Sequence, residues 1–199
     1  MKRRVLTIHF FFNSAFVVGS NGEGVFQQAK SVPIQFFKDG LPASEQKVWN
    51  SPWGKIGICI CYDLSYTRVT DELVRQGAQL LIVPTMDVEF WGRHQHELHA
   101  RVAPVRAAEY GIPIFRVASS GISQAVTGSG QVVAQTRMPG NGDILAAKLR
   151  LPIRDSLPLD RWLAPICTGE TGVVLAALLF LTWKEKRAAR KSTVGAESL

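Results

Sequence analysis

The stretch that decides the fold runs from Gly54 to Val69 and reads GKIGICICYDLSYTRV. An apolar, isoleucine-rich run carries Cys59 and Cys61 and then gives way at once to a polar segment. A buried strand can use both cysteines as small apolar fillers, since free cysteine is among the residue types most often buried. A nucleophile stands instead where a strand ends and the chain turns, close to free backbone N–H groups. The junction at Cys61 therefore admits both interpretations.

Strand and helix patterns alternate along the chain on the C-terminal side of this stretch. KIGICICY predicts a buried strand and SYTRVTDELVRQGA a helix that Gly77 ends. The segments that follow predict a strand in QLLIVPTM, a helix in RHQHELHARVAPVRAAEYG, a strand in IPIFRVAS, a hairpin in SQAVTGSGQVVAQTRM and a last strand in GDILAAKLRL. This order is typical of an α/β layered domain.

The N-terminal segment admits two interpretations. A basic start, MKRR, followed by an apolar run imitates a signal peptide. However, Asn13 and Ser14 interrupt that run, and FNSAFVV and VFQQAK flank a Gly/Asn-rich turn. We therefore predict a β-hairpin here. The Pro- and Gly-rich segment between this hairpin and Gly54 predicts an irregular loop.

Composition narrows the class of partner. The 199 residues are 46% hydrophobic and carry a formal charge of +7, with three cysteines. An odd cysteine count does not make a disulfide framework. The basic excess lies at the two ends of the chain, and no basic stripe interleaved with aromatic residues runs through the interior, which argues against a nucleic-acid partner.

An apolar run from Thr171 to Trp183 precedes the basic sequence KEKRAARK. Extended back to Trp162, it would form a helix of about 33 Å, against the roughly 30 Å of a bilayer core, with Glu170 as its one charge. We predict a transmembrane helix over residues 162–183 and a cytoplasmic tail over 184–199. The alternative is a buried or amphipathic C-terminal helix.

Functional groups of an α/β domain collect just past the carboxyl ends of its strands. Cys61 follows the first predicted strand, TMDVEFWGRHQHE overlaps the end of the second, and SSGIS follows the third. Three loops at one edge of the sheet make a pocket plausible.

The residues GKIGICICYDLSYTRV, GAQLLIVPT and RAAEYGIPIFRVASSGIS together resemble the carbon–nitrogen hydrolase (nitrilase) superfamily. NSAFVV, a turn and VFQQAK resemble that family's hairpin, which leads to a catalytic lysine, here Lys30. The Lys30-to-Cys61 spacing, the helix QHELHARVAPVRAAE and the apolar C-terminal segment resemble its apolipoprotein N-acyltransferase branch. The resemblance covers about residues 11 to 150. It implies a nitrilase-type α-β-β-α sandwich over residues 1–155, incomplete at the N-terminus, with a C-terminal transmembrane helix.

The resemblance also implies a chemistry, because the family works through a Glu-Lys-Cys triad. Cys61 would attack an acyl carbonyl and form a thioester, and Lys30 would lower the pKa of the thiol and face the oxyanion beside the backbone N–H of Tyr62. Asp63 would hold the catalytic residues in place without contacting the substrate. The implied donor is a membrane phospholipid and the implied acceptor is the N-terminal amine of a lipoprotein. The implied location is the bacterial inner membrane, with the catalytic domain outside the cytoplasm.

The sequence departs from the family pattern in one respect that bears on activity. No residue matches the catalytic glutamate, and Glu23, in the hairpin turn, is a poor substitute. KSVPIQFF is also shorter than the corresponding family segment, with Gln35 or Phe36 where a second glutamate often stands. We therefore expect impaired catalysis by an N-terminally truncated chain, which a second chain would complement. The alternatives are an amidase or nitrilase acting on a small substrate, and a non-catalytic fragment or binding module.

Two other motifs predict no site. HQHELH offers His94, His96 and His99, but the zinc-protease pattern needs two histidines four residues apart, and here the spacing across Glu97 is three. The serines of ASSGIS lack the Gly-x-Ser-x-Gly elbow. We expect neither a metal nor a cofactor.

Overall fold

The computed structural model describes residues 11–35, 37–138, 140, 142–153 and 157–196, and side chains as far as residue 187. The chain's basic start, Phe36 and the end of the predicted tail lie outside the described residues. The chain divides into two compact units, Met1–Leu157 and Pro158–Leu199.

The N-terminal hairpin is confirmed. Strand β1 (Ser14–Val18) pairs antiparallel with β2 (Gly24–Ala29). Lys30 follows the last residue of β2, and its N–H donates to the carbonyl of Asn13 at 2.8 Å. The hairpin pairing thus fixes the backbone from which the Lys30 side chain extends.

A six-stranded sheet lies on the C-terminal side of this hairpin in the first unit. Its order is β3-β4-β5-β6-β7-β8, and β4, β5 and β6 run parallel while the outer pairs are antiparallel. The strands are β3 (Val48–Ser51), β4 (Gly54–Ile58), β5 (Leu80–Thr85), β6 (Ile114–Ala118), β7 (Gln124–Val126) and β8 (Val132–Gln135). The parallel strands place their carboxyl ends, and the loops that follow, at one edge.

Two helices make the parallel connections. Helix α1 (Thr67–Arg75) buries Val69, Leu73 and Val74, the residues that its spacing places on one face. Helix α2 (Gly92–Tyr110) continues through Pro104 and ends at Gly111, which has the left-handed conformation that favours glycine. These side chains join buried residues of β5, β6 and β7 in one core.

Two sequence predictions for this unit are wrong. GDILAAKLRL forms no strand, since residues 142–153 carry no regular secondary structure and Ile144 is 95% exposed. Conversely, Val48–Ser51 forms strand β3, although the Pro- and Gly-rich segment predicts a loop. In both places, a segment forms a strand only if a neighbouring strand is available to pair with it. Local composition does not show which sheet edge is free.

The second unit contains α3 (Asp160–Ala196), a helix of 37 residues. Its portion from Asp160 to Arg187, 28 residues, is long and apolar enough to cross a membrane. The apolar side chains of this portion, among them Leu175 and Leu178, are exposed.

Candidate active site

Cys61 stands at the turn that follows β4. It begins a short 3-10 helix (Cys61–Ser65) and has φ +52°, the one positive φ of a non-glycine residue within the described part of the chain. A side chain in this left-handed region carries steric strain, which persists only where the surroundings impose it. Such strain concentrates at functional sites, and it distinguishes Cys61 from Cys59, which is fully buried in the core.

A cavity of about 370 Å³ opens at Cys61. Its lining includes both Lys30 and Cys61, the two residues that the sequence predicts to be catalytic. Its other walls come from the start of β1, the loop after β2 and the end of β5, including Asn13, Ile34 and Met86. The hairpin and the main sheet therefore build the site together.

Lys30 is buried in this cavity beside a carboxylate that sequence reasoning missed. Its Nζ lies 2.5 Å from Oδ2 of Asp39, and the two side chains are 2% and 12% exposed. The carboxylate also accepts from the backbone N–H of Ile34 at 2.8 Å and from Nδ2 of Asn13 at 2.7 Å. Asp39 lies in the segment that predicts an irregular loop, and such a segment has no periodic pattern from which the position of Asp39 could be predicted.

The charge state of Cys61 reflects two opposed effects. Burial raises the pKa of the Cys61 thiol, Lys30 lowers it, and the carboxylate of Asp87 raises it again; the net direction is upward from 9.0. Lys30 thus acts in the direction that the sequence predicts, but burial outweighs it. In this structure the thiol is the favoured form at neutral pH.

Asp63 joins the Cys61 turn to the segment that follows Lys30. Its buried carboxylate accepts from the backbone N–H groups of Ser31, Val32 and Ile60, at distances between 2.7 and 3.2 Å. Burial raises the pKa of Asp63, although these hydrogen bonds lower it. The contacts hold the lysine-bearing segment against the turn.

Tyr62 is the fourth residue that the sequence selects. Its ring packs edge-on against that of Tyr66, and the side chain is 38% exposed. Its backbone N–H lowers the pKa of the Cys61 thiol.

A second buried cluster, also missed from the sequence, surrounds Asp87 just past β5. Oδ1 of Asp87 lies 2.7 Å from Nδ1 of His99, and Oδ2 accepts from Nη2 of Arg116 at 2.7 Å. Burial raises the pKa of Asp87, but the hydrogen bond from His99 and the charge of Arg116 outweigh burial and hold it at about 2. The sequence predicts functional groups in the loop after β5. It does not predict that Asp87 of this loop contacts Arg116.

The HQHELH segment contributes to this cluster through two histidines. His99 contacts Asp87, and the fully buried ring of His96 lies 3.8 Å from the same carboxylate. Within the described residues, no three histidine, cysteine or acidic side chains are arranged to hold a metal ion.

A second cavity, of about 430 Å³, shares Cys61, Ile34 and Trp91 with the first. Its walls are largely apolar and include Tyr62, Leu98 and Val102. Ser119 and Ser120 line a different cavity, which Cys61 does not border. Cys61 therefore borders two cavities, one that holds Lys30 and one lined by Tyr62, Leu98 and Val102.

Comparisons with known proteins agree on one family. The model of the carbon–nitrogen hydrolase family matches residues 3–152. An apolipoprotein N-acyltransferase from Bdellovibrio bacteriovorus is 26% identical over 149 residues, and one from Allorhizobium ampelinum is 35% identical over 163 residues. These matches cover 63% and 66% of the chain but only 27% and 29% of the two relatives.

An amidase and a solved structure of the nitrilase superfamily are also similar. A deaminated glutathione amidase from Dictyostelium discoideum is 32% identical over 85 residues, which cover 37% of the chain and 29% of that protein. Among solved structures, Saccharomyces cerevisiae Nit3, a member of branch 10 of the nitrilase superfamily, superposes with a TM-score of 0.56 at 20% identity. That superposition covers 65% of the chain and 50% of Nit3, and it supports the fold of the first unit.

Proposed function

The chain belongs to the carbon–nitrogen hydrolase family, and on that premise we propose that it transfers an acyl group through a thioester on Cys61. The observation that carries the proposal is the strained backbone of Cys61 in the wall of a cavity that Lys30 also lines. A filler cysteine needs neither a left-handed backbone nor a cation beside it.

The mechanism has two half-reactions. The Cys61 sulfur attacks the acyl carbonyl carbon, the thiol proton passes to the leaving group, and a thioester remains. The Lys30 ammonium and the backbone N–H of Tyr62 stabilise the negative oxygen of the tetrahedral intermediate. An amine then attacks the thioester and restores the thiol, which gives an amide; with water the product is an acid.

We propose a phospholipid as the acyl donor and the N-terminal amine of a lipoprotein as the acceptor. The apolar walls of the second cavity, with Leu98 and Val102, support an acyl chain as the bound group. The relatives named apolipoprotein N-acyltransferase support the amine of a lipoprotein as the acceptor.

We also propose that residues 162–183 of α3 span the bacterial inner membrane, with the basic tail on the cytoplasmic side and the catalytic unit outside. The length and composition of the helix support this placement, as do the lysines and arginines that follow it.

The amidase relative supports a second candidate, hydrolysis of a small amide. The two functions share the thioester and differ in what attacks it. Water would replace the amine in the second half-reaction, and no lipid would be needed in the first.

The product of a single turnover separates the two candidates. We would mix the full chain, in detergent, with a substoichiometric phospholipid that bears a labelled acyl chain and with a peptide that begins with a diacylglyceryl cysteine. We expect labelled amide on the peptide, and none with the Cys61→Ala variant. Free fatty acid without amide would show that water, and not the amine, attacks the thioester. The absence of both products would contradict the proposal.

A further inference from the structure

A further cavity, of about 770 Å³, lies between α2 and the β7–β8 hairpin. Helix α2 lines it with Ala100 and Pro104, whereas Leu98 and Val102 of the same helix line the second cavity at Cys61. Because an α-helix has about 3.6 residues per turn, the two pairs lie on opposite sides of α2. Among the described residues, none lines both this cavity and one that Cys61 borders.

Three arginines line this cavity, which we therefore call the arginine cavity. They are Arg93 in the first turn of α2, Arg101 in the middle of the same helix, and Arg137 after β8. Glu97 is the one acidic side chain among the described residues of its lining. Because an arginine side chain stays protonated in proteins, the lining favours an anionic ligand.

The N–H donors of these arginines are available to a ligand. Nη1 of Arg93 lies 3.7 Å from Oε1 of Glu97, and Nη2 of Arg137 lies 3.7 Å from Oδ1 of Asp143. Both distances are longer than a hydrogen bond. Within the described part of the chain, Arg101 has neither an ion pair nor a side-chain hydrogen bond. A bound anion would therefore displace water rather than an existing protein partner.

A buried amide in the lining of the arginine cavity lacks one partner. Gln124 of β7 is 5% exposed, and its Oε1 has no hydrogen-bond partner within the described residues. Its Nε2 donates to Oε1 of Gln135, the residue paired with it on β8, at 3.4 Å. A buried acceptor without a donor is costly, so Oε1 of Gln124 indicates a bound group that donates to it.

The two walls of the arginine cavity are held at a fixed spacing. Gly130, in the turn between β7 and β8, has φ +82°, and a Cβ there would lie 2.8 Å from the carbonyl oxygen of Pro104. The N–H of Thr136 donates to the carbonyl of Ser123 at 3.0 Å, so the pairing of the two strands continues beyond β8 toward Arg137. The hairpin therefore lies closely against α2, at a contact that glycine allows.

We propose that the arginine cavity binds a phosphate ester, whose phosphate contacts the arginines and whose hydroxyl or ammonium group donates to Gln124. Guanidinium groups from α2 and from the segment after β8 suit the several oxygens of a tetrahedral phosphate, whereas a carboxylate offers two oxygens in one plane. The ester is the headgroup of a phospholipid or a soluble phosphate ester, because both present the same two groups. This site goes beyond the acyl transfer proposed at Cys61, and it does not depend on that reaction.

Isothermal titration calorimetry tests the proposal with the full chain carrying Cys61→Ala, in a nonionic detergent at low salt. The Cys61→Ala change keeps a phospholipid from reacting. We expect glycerol 3-phosphate to half-saturate the chain below about 1 mM. Adding Arg101→Gln or Arg137→Gln should weaken binding about tenfold, because each removes charge-assisted hydrogen bonds. Arg150→Gln, at an exposed arginine outside the lining of the arginine cavity, should change the affinity by less than about twofold.

A soluble short-chain phospholipid, dihexanoyl phosphatidylethanolamine, separates the two sources of the ester. Binding that Arg101→Gln weakens would support a phospholipid headgroup as the ligand. Binding of glycerol 3-phosphate without binding of this lipid would support a soluble ester.

Methyl phosphate, which carries neither a hydroxyl on carbon nor an ammonium group, tests the contact with Gln124. We expect it to bind more weakly than glycerol 3-phosphate, and we expect the difference to disappear in Gln124→Leu. Equal affinity for the two esters in the chain that retains Gln124 would overturn this contact, whether or not Gln124→Leu folds.

Three results would overturn the site as a whole. They are no binding of any of these esters, binding that neither Arg101→Gln nor Arg137→Gln weakens, and binding of glycerate, a carboxylate with the same hydroxyl groups, as tight as that of glycerol 3-phosphate. Circular dichroism of each variant shows whether it folds. Arg101 and Arg137 are exposed, so we expect both variants to fold like the parent chain.

Discussion

At the scale of single residues, the first unit gathers buried charges around one strained cysteine. Cys61 has a left-handed backbone, Lys30 and Asp39 form a buried pair on one side of it, and Asp87 lies in a charged cluster near it. Burying charge is costly unless each charge is paired and hydrogen-bonded, and here the carboxylates are. Such a cluster of buried charged side chains is typical of a catalytic centre rather than of a hydrophobic core.

The Asp87 cluster gives the fold a specific acid sensitivity. The pKa of Asp87 is about 2 in the folded chain against 3.8 for the free side chain. A carboxyl whose pKa is lowered by folding stabilises the fold above its unfolded pKa and loses that contribution as pH falls. We expect the unfolding free energy of the unmodified chain, relative to Asp87→Asn, to shrink by about 2 kcal/mol between pH 4 and pH 2.

Urea unfolding of the two chains at a series of pH values measures this difference. The opposite shift of Asp63 and the parallel shift of Asp39 are common to both chains and cancel. Asp143→Asn, at a carboxylate outside the Asp87 cluster, serves as the control. A stability difference for Asp87→Asn that stays constant from pH 5 to pH 2 would contradict the account.

At the scale of elements, the candidate active site is assembled by the β1–β2 hairpin and by the turn after β4. Asp63 binds these two elements together through the backbone of Ser31 and Val32. The hydrogen bonds explain why Lys30 and Cys61, 31 residues apart, line one cavity. In helix α3, the apolar side chains of the portion from Asp160 to Arg187 are exposed, and they need an apolar environment such as a membrane.

If α3 spans a membrane, charge at its centre must be costly. An arginine at the middle of a transmembrane helix costs about 3 kcal/mol on the insertion scale. We therefore expect the chain expressed in bacteria to stay with membranes through carbonate extraction, and Leu175→Arg combined with Leu178→Arg to release it. Ile144→Arg combined with Ile153→Arg, at two exposed apolar residues of the first unit, should leave it bound. Release of the unmodified chain by carbonate would contradict a membrane span.

At the scale of the whole molecule, the sequence predicts what periodicity and short motifs encode. The hairpin around Gly22, the three parallel strands and both crossover helices follow from alternating and helical spacing, and Cys61 with Lys30 follows from family motifs. The sequence does not predict strand β3, or that GDILAAKLRL stays irregular, because strand pairing depends on distant partners. Asp39 and Arg116 were missed for the same reason: each matters through a contact that only the folded chain creates.

The central claim is that Cys61 forms an acyl-enzyme, and peptide mapping after reaction with an activated acyl ester tests it most directly. We would treat the full chain, Cys59→Ala and Cys61→Ala with p-nitrophenyl octanoate, quench with acid and locate the added mass. We expect one octanoyl group on Cys61, removable by hydroxylamine, in the full chain and in Cys59→Ala, and no such adduct in Cys61→Ala. No adduct on Cys61, or labelling that falls equally on Cys59 and Cys167, would contradict the account.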